Sequence, residues 1–125
     1  MTSQPDRSSC SHEQRRAGRR NRSKLHGVED ALFVFVRLHS RVGDADKVTG
    51  ALTSVVNASR SELGCVSIHA FRSARDPQLF FIHSVWKDAD AFDRHAEMRH
   101  TVDFIQAVDG FLDEPREVTR TRRLA

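Results

Sequence analysis

Two histidines close to the only tryptophan are the residues best suited to chemistry in this chain. The segment "LFFIHSVWKDADAFDRH" (79–95) runs apolar to Trp86, then turns charged and ends on His95, with His100 five residues on. Imidazole titrates near neutrality, so His95 or His100 can take a proton from a bound acid such as a phenol, with the flat ring of Trp86 orienting an aromatic partner. The same residues also admit a plainer reading, in which Trp86 anchors a core and the two histidines cap or bridge helix ends.

Three more histidines, His39, His69 and His83, share a strand parity. Three imidazoles can hold a metal, but no carboxylate of matching parity lies nearby. They read instead as hydrogen-bonding residues of an interface, and no metal is predicted. There is no Gly-rich phosphate loop, HExxH, GxSxG or CxxC pair, which argues against dedicated nucleotide or structural zinc binding. Cys10 and Cys65 match neither a disulfide framework nor a metal spacing; Cys65 reads as a small buried residue in a reduced, cytoplasmic setting.

These residues need elements to hold them. "ALFVFVRLH" (31–39) reads as a strand with Leu32, Val34, Val36 and Leu38 on one face and Phe33, Phe35, Arg37 and His39 on the other. Over 44–63 the period changes to that of an amphipathic helix, carried by Val48, Leu52, Val55, Val56, Ser59 and Leu63. Asp44 and Asp46 favour its start, and Gly64 is placed to end it. "CVSIHAFRS" (65–73) and "QLFFIHSVW" (78–86), joined by "ARDP", read as a hairpin in which His69 and His83 can face each other. Helical segments over 88–98 and 100–112 follow, the second with Phe104, Ile105 and Val108 as its stripe. A last strand spans 116–124 after Pro115.

The order β-α-β-β-α-β predicts an α+β, ferredoxin-like fold, a four-stranded antiparallel sheet with its helices on one face. The other face keeps Phe33, Phe35, Phe71 and Phe81, too apolar to leave in water. A second copy of the same sheet is the simplest cover, which predicts a homodimer through the helix-free face. On the helix side, Val34, Val36, Ile68, Ile82 and Ser84, with Phe104 from the helix, are the expected lining of a small-molecule pocket beside Trp86.

With 38% hydrophobic and 30% charged residues, the composition is that of a globular protein. The net charge of +3 is unevenly placed. Residues 1–24 hold seven basic side chains against two acidic ones, so the rest is mildly acidic, which argues against nucleic acid as a partner. Almost without large apolar residues, 1–27 reads as a disordered basic tail and 28–125 as the folded domain. No apolar run is long enough for a membrane span.

The stretch from Arg60 to Val108 resembles the antibiotic biosynthesis monooxygenase family, which includes quinol and anthrone oxygenases. The likeness rests on "R-x-E-x-G-C" at Arg60, Glu62, Gly64 and Cys65, "S-x-x-D-P" before the third strand, "V-W-x-D" at Val85–Asp88, "A-F-x-x-H" ending at His95, and His100 before an aromatic helix. It extends over roughly residues 31–123. The resemblance implies a dimeric α+β barrel, a pocket between sheet and helices, and oxygenation of a small hydroxylated aromatic by dioxygen with no cofactor. Two positions depart from the pattern: Ser84 stands where many relatives have Glu, and Ile68 where many have Tyr, a residue absent from this chain. A mechanism needing either is closed to it. Ser84 is a candidate hydrogen-bond donor to the substrate oxygen. A non-catalytic small-ligand or stress-response protein of the same fold is the alternative reading. A haem-binding or haem-degrading protein is a weaker one, with no convincing axial histidine.

Overall fold

A computed structural model describes residues 30–125. The expected tail, 1–27, and its boundary with the domain lie outside the described residues. The elements in chain order are β1 (Leu32–His39), α1 (Ala45–Ser59), β2 (Cys65–Arg72), β3 (Leu79–Trp86), α2 (Ala89–Glu97), α3 (Arg99–Val108), one 3-10 turn (Asp109–Phe111) and β4 (Glu117–Thr121). They form one sheet in the order β2-β3-β1-β4, antiparallel throughout. This is the ferredoxin-like α+β architecture that the alternating periods predict.

Directly paired residues project from the same side of a sheet, so the register sorts the side chains. Val34 pairs with Ser84 and Val36 with Ile82, while Ile68 pairs with Ser84 from the other side. These residues, with Leu32, Leu38, Phe80 and Trp86, make the face under the helices. His69 does pair with His83, on the opposite face. There Phe35, Phe71 and Phe81 stay exposed, and the Phe35 and His83 rings lie 4.8 Å apart.

The core divides in two. One cluster joins Leu38, Ile68, Phe80 and Ile82 of the sheet to Val48, Leu52, Val55 and Val56 of α1 and Val108 of α3. A smaller one joins Leu32, Val34 and Trp86 to Ala91 of α2. The partly buried Val36 and Cys65 pack against both. These two residues link the clusters across the helix-side face of the sheet.

Four expectations need correction. Helix α1 ends at Ser59, so Leu63 is not part of its apolar stripe and is 90% exposed. The buried Ser59 hydroxyl donates to the Val55 carbonyl (2.7 Å), and the chain then turns as far as Gly64. The helical segment expected over 100–112 closes at Val108 and tightens into the 3-10 turn. The last strand is the shorter Glu117–Thr121. Finally, His39 does have carboxylate neighbours: its ring lies 2.9 Å from Asp113 and 3.0 Å from Asp76. Both come from loops, which strand parity does not describe.

Candidate functional site

The turn after α1 carries the residue that organises the site. Gly64 sits at φ +93°, a region that L side chains rarely adopt, and a Cβ there would lie 2.7 Å from the Ala91 Cβ. Glycine thus lets the turn press against the start of α2, and the Gly64 carbonyl accepts a hydrogen bond from the Lys87 amide (2.9 Å). Two residues earlier, the Glu62 side chain is carried into the interior, where only 6% of it is exposed.

Helix α2 is fixed at its start by Asp88, whose side chain accepts from the Ala91 amide (2.8 Å). At its far end Met98 adopts an extended conformation (φ −69°, ψ 147°) and separates α2 from α3. On one continuous helix, residues five apart point well away from each other. The break at Met98 instead brings the His95 and His100 rings to 6.1 Å. Both reach the same Glu62 oxygen, Oε2: His95 Nδ1 at 2.8 Å and His100 Nε2 at 2.5 Å. The buried Thr101 hydroxyl is 3.3 Å from His95 Nδ1.

Aromatic packing fixes the inner histidine. The His95 ring lies 4.5 Å from Trp86 and 5.6 Å from Phe92. The Trp86 indole N–H donates to the Ser84 hydroxyl oxygen (2.9 Å). Ser84 is thus the acceptor that satisfies a wholly buried indole. Arg120 of β4 stacks over Phe92 at 4.9 Å and pairs with Asp93 at 2.8 Å, tying the edge strand to α2.

Burial pushes the His95 imidazole below its usual pKa, with the Glu62 carboxylate opposing that shift, so His95 is neutral at pH 7. The adjoining Cys65 thiol is pushed up, by burial first and by the Glu62 charge second. The neutral His95 donates its Nδ1–H to Glu62, and the His100 ring turns its Nε2 to the same oxygen. The carboxylate thus fixes the His95 tautomer, with the free lone pair on Nε2, and leaves Nδ1 as the His100 nitrogen turned away from Glu62.

His95 neighbours both Trp86 and His100, and Val34, Ile68, Ile82, Ser84 and Trp86 all lie in the closed interior. Trp86 has no exposed surface, so it meets His95 and Phe92 rather than an open cavity. The residues of this face that keep some exposure are Val36 and Phe104, joined by Phe92, His100 and Val118. Val118 pairs with Val36 across β1 and β4. Sequence reasoning noticed Glu62 only as part of a motif. Its partners lie 33 and 38 residues away, beyond the reach of any local pattern.

The model of the family described as antibiotic biosynthesis monooxygenase matches residues 31–107, which include Glu62, Trp86, His95 and His100. The chain belongs to this family. Solved structures of similar fold include PA3566 from Pseudomonas aeruginosa (24% identity, TM-score 0.73, covering 78% of this chain and 98% of that one). Rv0793 from Mycobacterium tuberculosis is similar at 22% identity and TM-score 0.72, covering 76% and 96%. The Synechocystis protein sll1783 is 22% identical over 94 residues, 75% of this chain; the match spans 64% of that protein's length. The family's monooxygenase-like fold is thus present here. No helix among the described residues is long and apolar enough to cross a membrane.

Proposed function

We propose that this chain is a monooxygenase that oxidises a small hydroxylated aromatic, quinol-like or anthrone-like, with dioxygen and without metal, flavin or haem. The observation that carries the reading is the buried Glu62 carboxylate bridging His95 and His100, with the His95 ring packed on Trp86. His100 is the outermost of the three, with 26% of its side chain exposed against 11% for His95 and 6% for Glu62. The substrate lies over Val36, between Phe104 and Phe92, with its hydroxyl at the ring nitrogen of His100 that Glu62 leaves free.

His100 takes the hydroxyl proton, and the neighbouring carboxylate stabilises the imidazolium that forms. The resulting anion is rich enough in electrons to reduce dioxygen directly. A bond forms between ring carbon and oxygen, the O–O bond then breaks, and the carbon becomes a carbonyl. In the anthrone case both hydrogens of that carbon leave in the water released. The substrate supplies all four electrons, so no external reductant is needed. The protein contributes a base, orientation and a site with little water. His95 and Trp86 act behind His100: Trp86 holds the His95 ring, and His95 holds Glu62. Ser84 supports Trp86.

A second copy of the chain completes the proposed assembly, packed through the helix-free face with Phe33, Phe35, Phe71 and Phe81.

The test is oxygen uptake with model quinols and anthrones on chelator-treated protein. His100→Gln should lower the rate by about 10²–10⁴-fold, the usual worth of a general base. His95→Gln should lower it less, and both losses should shrink at a pH high enough for solvent to ionise the phenol. Full activity in both variants on a turned-over substrate would remove the base assignment.

A further inference from the structure

We propose that Glu62, His95 and His100 form a binding site for one divalent transition-metal ion of the zinc, cobalt or ferrous class. One ligand atom from each residue lies within 4.8 Å of the others. The three come from three elements, the turn after α1, α2 and α3, and they converge only because of the Gly64 turn and the break at Met98. Two imidazole nitrogens and one carboxylate oxygen are a donor set that such ions favour, and they leave further positions for water.

The geometry needs little change. Ligands about 2.0–2.2 Å from a common ion stand roughly 3.0–3.5 Å apart. The present separations from Glu62 Oε2 are 2.8 Å and 2.5 Å, so these two pairs open by up to about 1 Å. Glu62 sits beyond the end of α1, where a change of side-chain torsion disturbs no helix. Trp86 and Phe92 pack against the His95 ring. Only 6% of the Glu62 side chain is exposed, and a divalent cation offsets the cost of a carboxylate in so buried a place. An ion on His95 Nδ1 and His100 Nε2 leaves the N–H of each ring on the nitrogen away from the ion. For His100 that nitrogen is Nδ1, the one the base reading uses, so an ion here blocks proton transfer. The metal site itself rests on the cluster geometry and stands whether or not the oxygenase reading does.

The experiment titrates Co²⁺ into the chelator-stripped full-length chain and follows visible absorption, with Zn²⁺ as competitor. One equivalent per chain should bind, and Glu62→Gln and His100→Gln should each weaken binding at least about 100-fold, as loss of a direct ligand exceeds the 10–100-fold loss typical of outer partners. His39→Gln alters the other candidate group among the described residues, His39 with Asp113 and Glu114, and should bind as the parent does. Circular dichroism establishes that each variant is folded. X-ray absorption of the zinc-loaded parent should show two imidazole ligands, which keeps the test decisive even if Glu62→Gln does not fold. Equal Co²⁺ binding by parent and folded His100→Gln, or its loss in His39→Gln instead, overturns the proposal. Oxygen uptake by the stripped chain is a separate readout: uptake without metal binding removes the site and leaves the oxygenase reading standing.

Discussion

His95 and His39 make opposite contributions to the pH dependence of stability. Burial lowers the folded-state pKa of His95. Between that value and the ordinary histidine value of about 6.5, the unfolded chain holds a proton that the folded chain lacks. Stability therefore rises with pH there. The His95 contribution is complete above about pH 6.5 and is lost as pH falls. His39 runs the other way: hydrogen bonds to Asp113, then to Asp76, raise its pKa. Its contribution is complete below about pH 6.5 and is lost as pH rises through the folded value. Urea denaturation between about pH 5 and pH 9 should show His95→Gln flattening the acid side of the profile and His39→Gln the alkaline side. Parallel profiles for the parent and both variants would refute this assignment.

At the level of elements, the site depends on two local departures from regular structure, at Gly64 and Met98. Gly64→Ala combines a positive φ with a Cβ 2.7 Å from that of Ala91, and should cost about 1–3 kcal/mol by chemical denaturation. It should also lower the oxygen-uptake rate, because Glu62 rides on the same turn. A loss under about 0.5 kcal/mol, the range of ordinary surface changes, would show that the turn relaxes freely. These departures also mark where sequence reasoning stopped. Alternation in β1 and β3 gave faces that hold residue by residue, and the Asp88 cap was readable three residues from its partner. The stripe of α1 misled at Leu63 because an apolar residue at the right spacing does not prove that the helix has reached it. The exposure of the expected lining was out of reach for a related reason. Parity assigns Val34, Ser84 and Trp86 to the helix face, but only the placement of α2 and α3 decides that they are sealed while Val36 and Phe104 are not. The Glu62 bridge joins three elements, and a single sequence read locally contains no signal for it.

Across the whole molecule, the two faces of the sheet have different fates, and β1 serves both. Val36 points under the helices, while its neighbour Phe35 points the other way and is 48% exposed. Phe71 is 53% and Phe81 36% exposed on that side, around His83. An aromatic side chain offers about 150–250 Å². At about 25 cal/mol per Å², covering this group is worth several kcal/mol per subunit before the costs of association. Sedimentation equilibrium at micromolar concentration should therefore give twice the chain mass. Phe35→Glu would set a carboxylate against its symmetry-related copy or against apolar rings, and should yield monomers. Because Phe35 packs under no helix, the monomers should keep the circular dichroism of the parent while melting lower. A parent chain that sediments as a stable monomer would leave the exposed aromatic face without a self-partner and overturn the back-to-back arrangement. A monomeric Phe35→Glu variant that still consumes oxygen at the parent rate would show that each subunit carries a complete site, as expected if Glu62, His95 and His100 of one chain suffice.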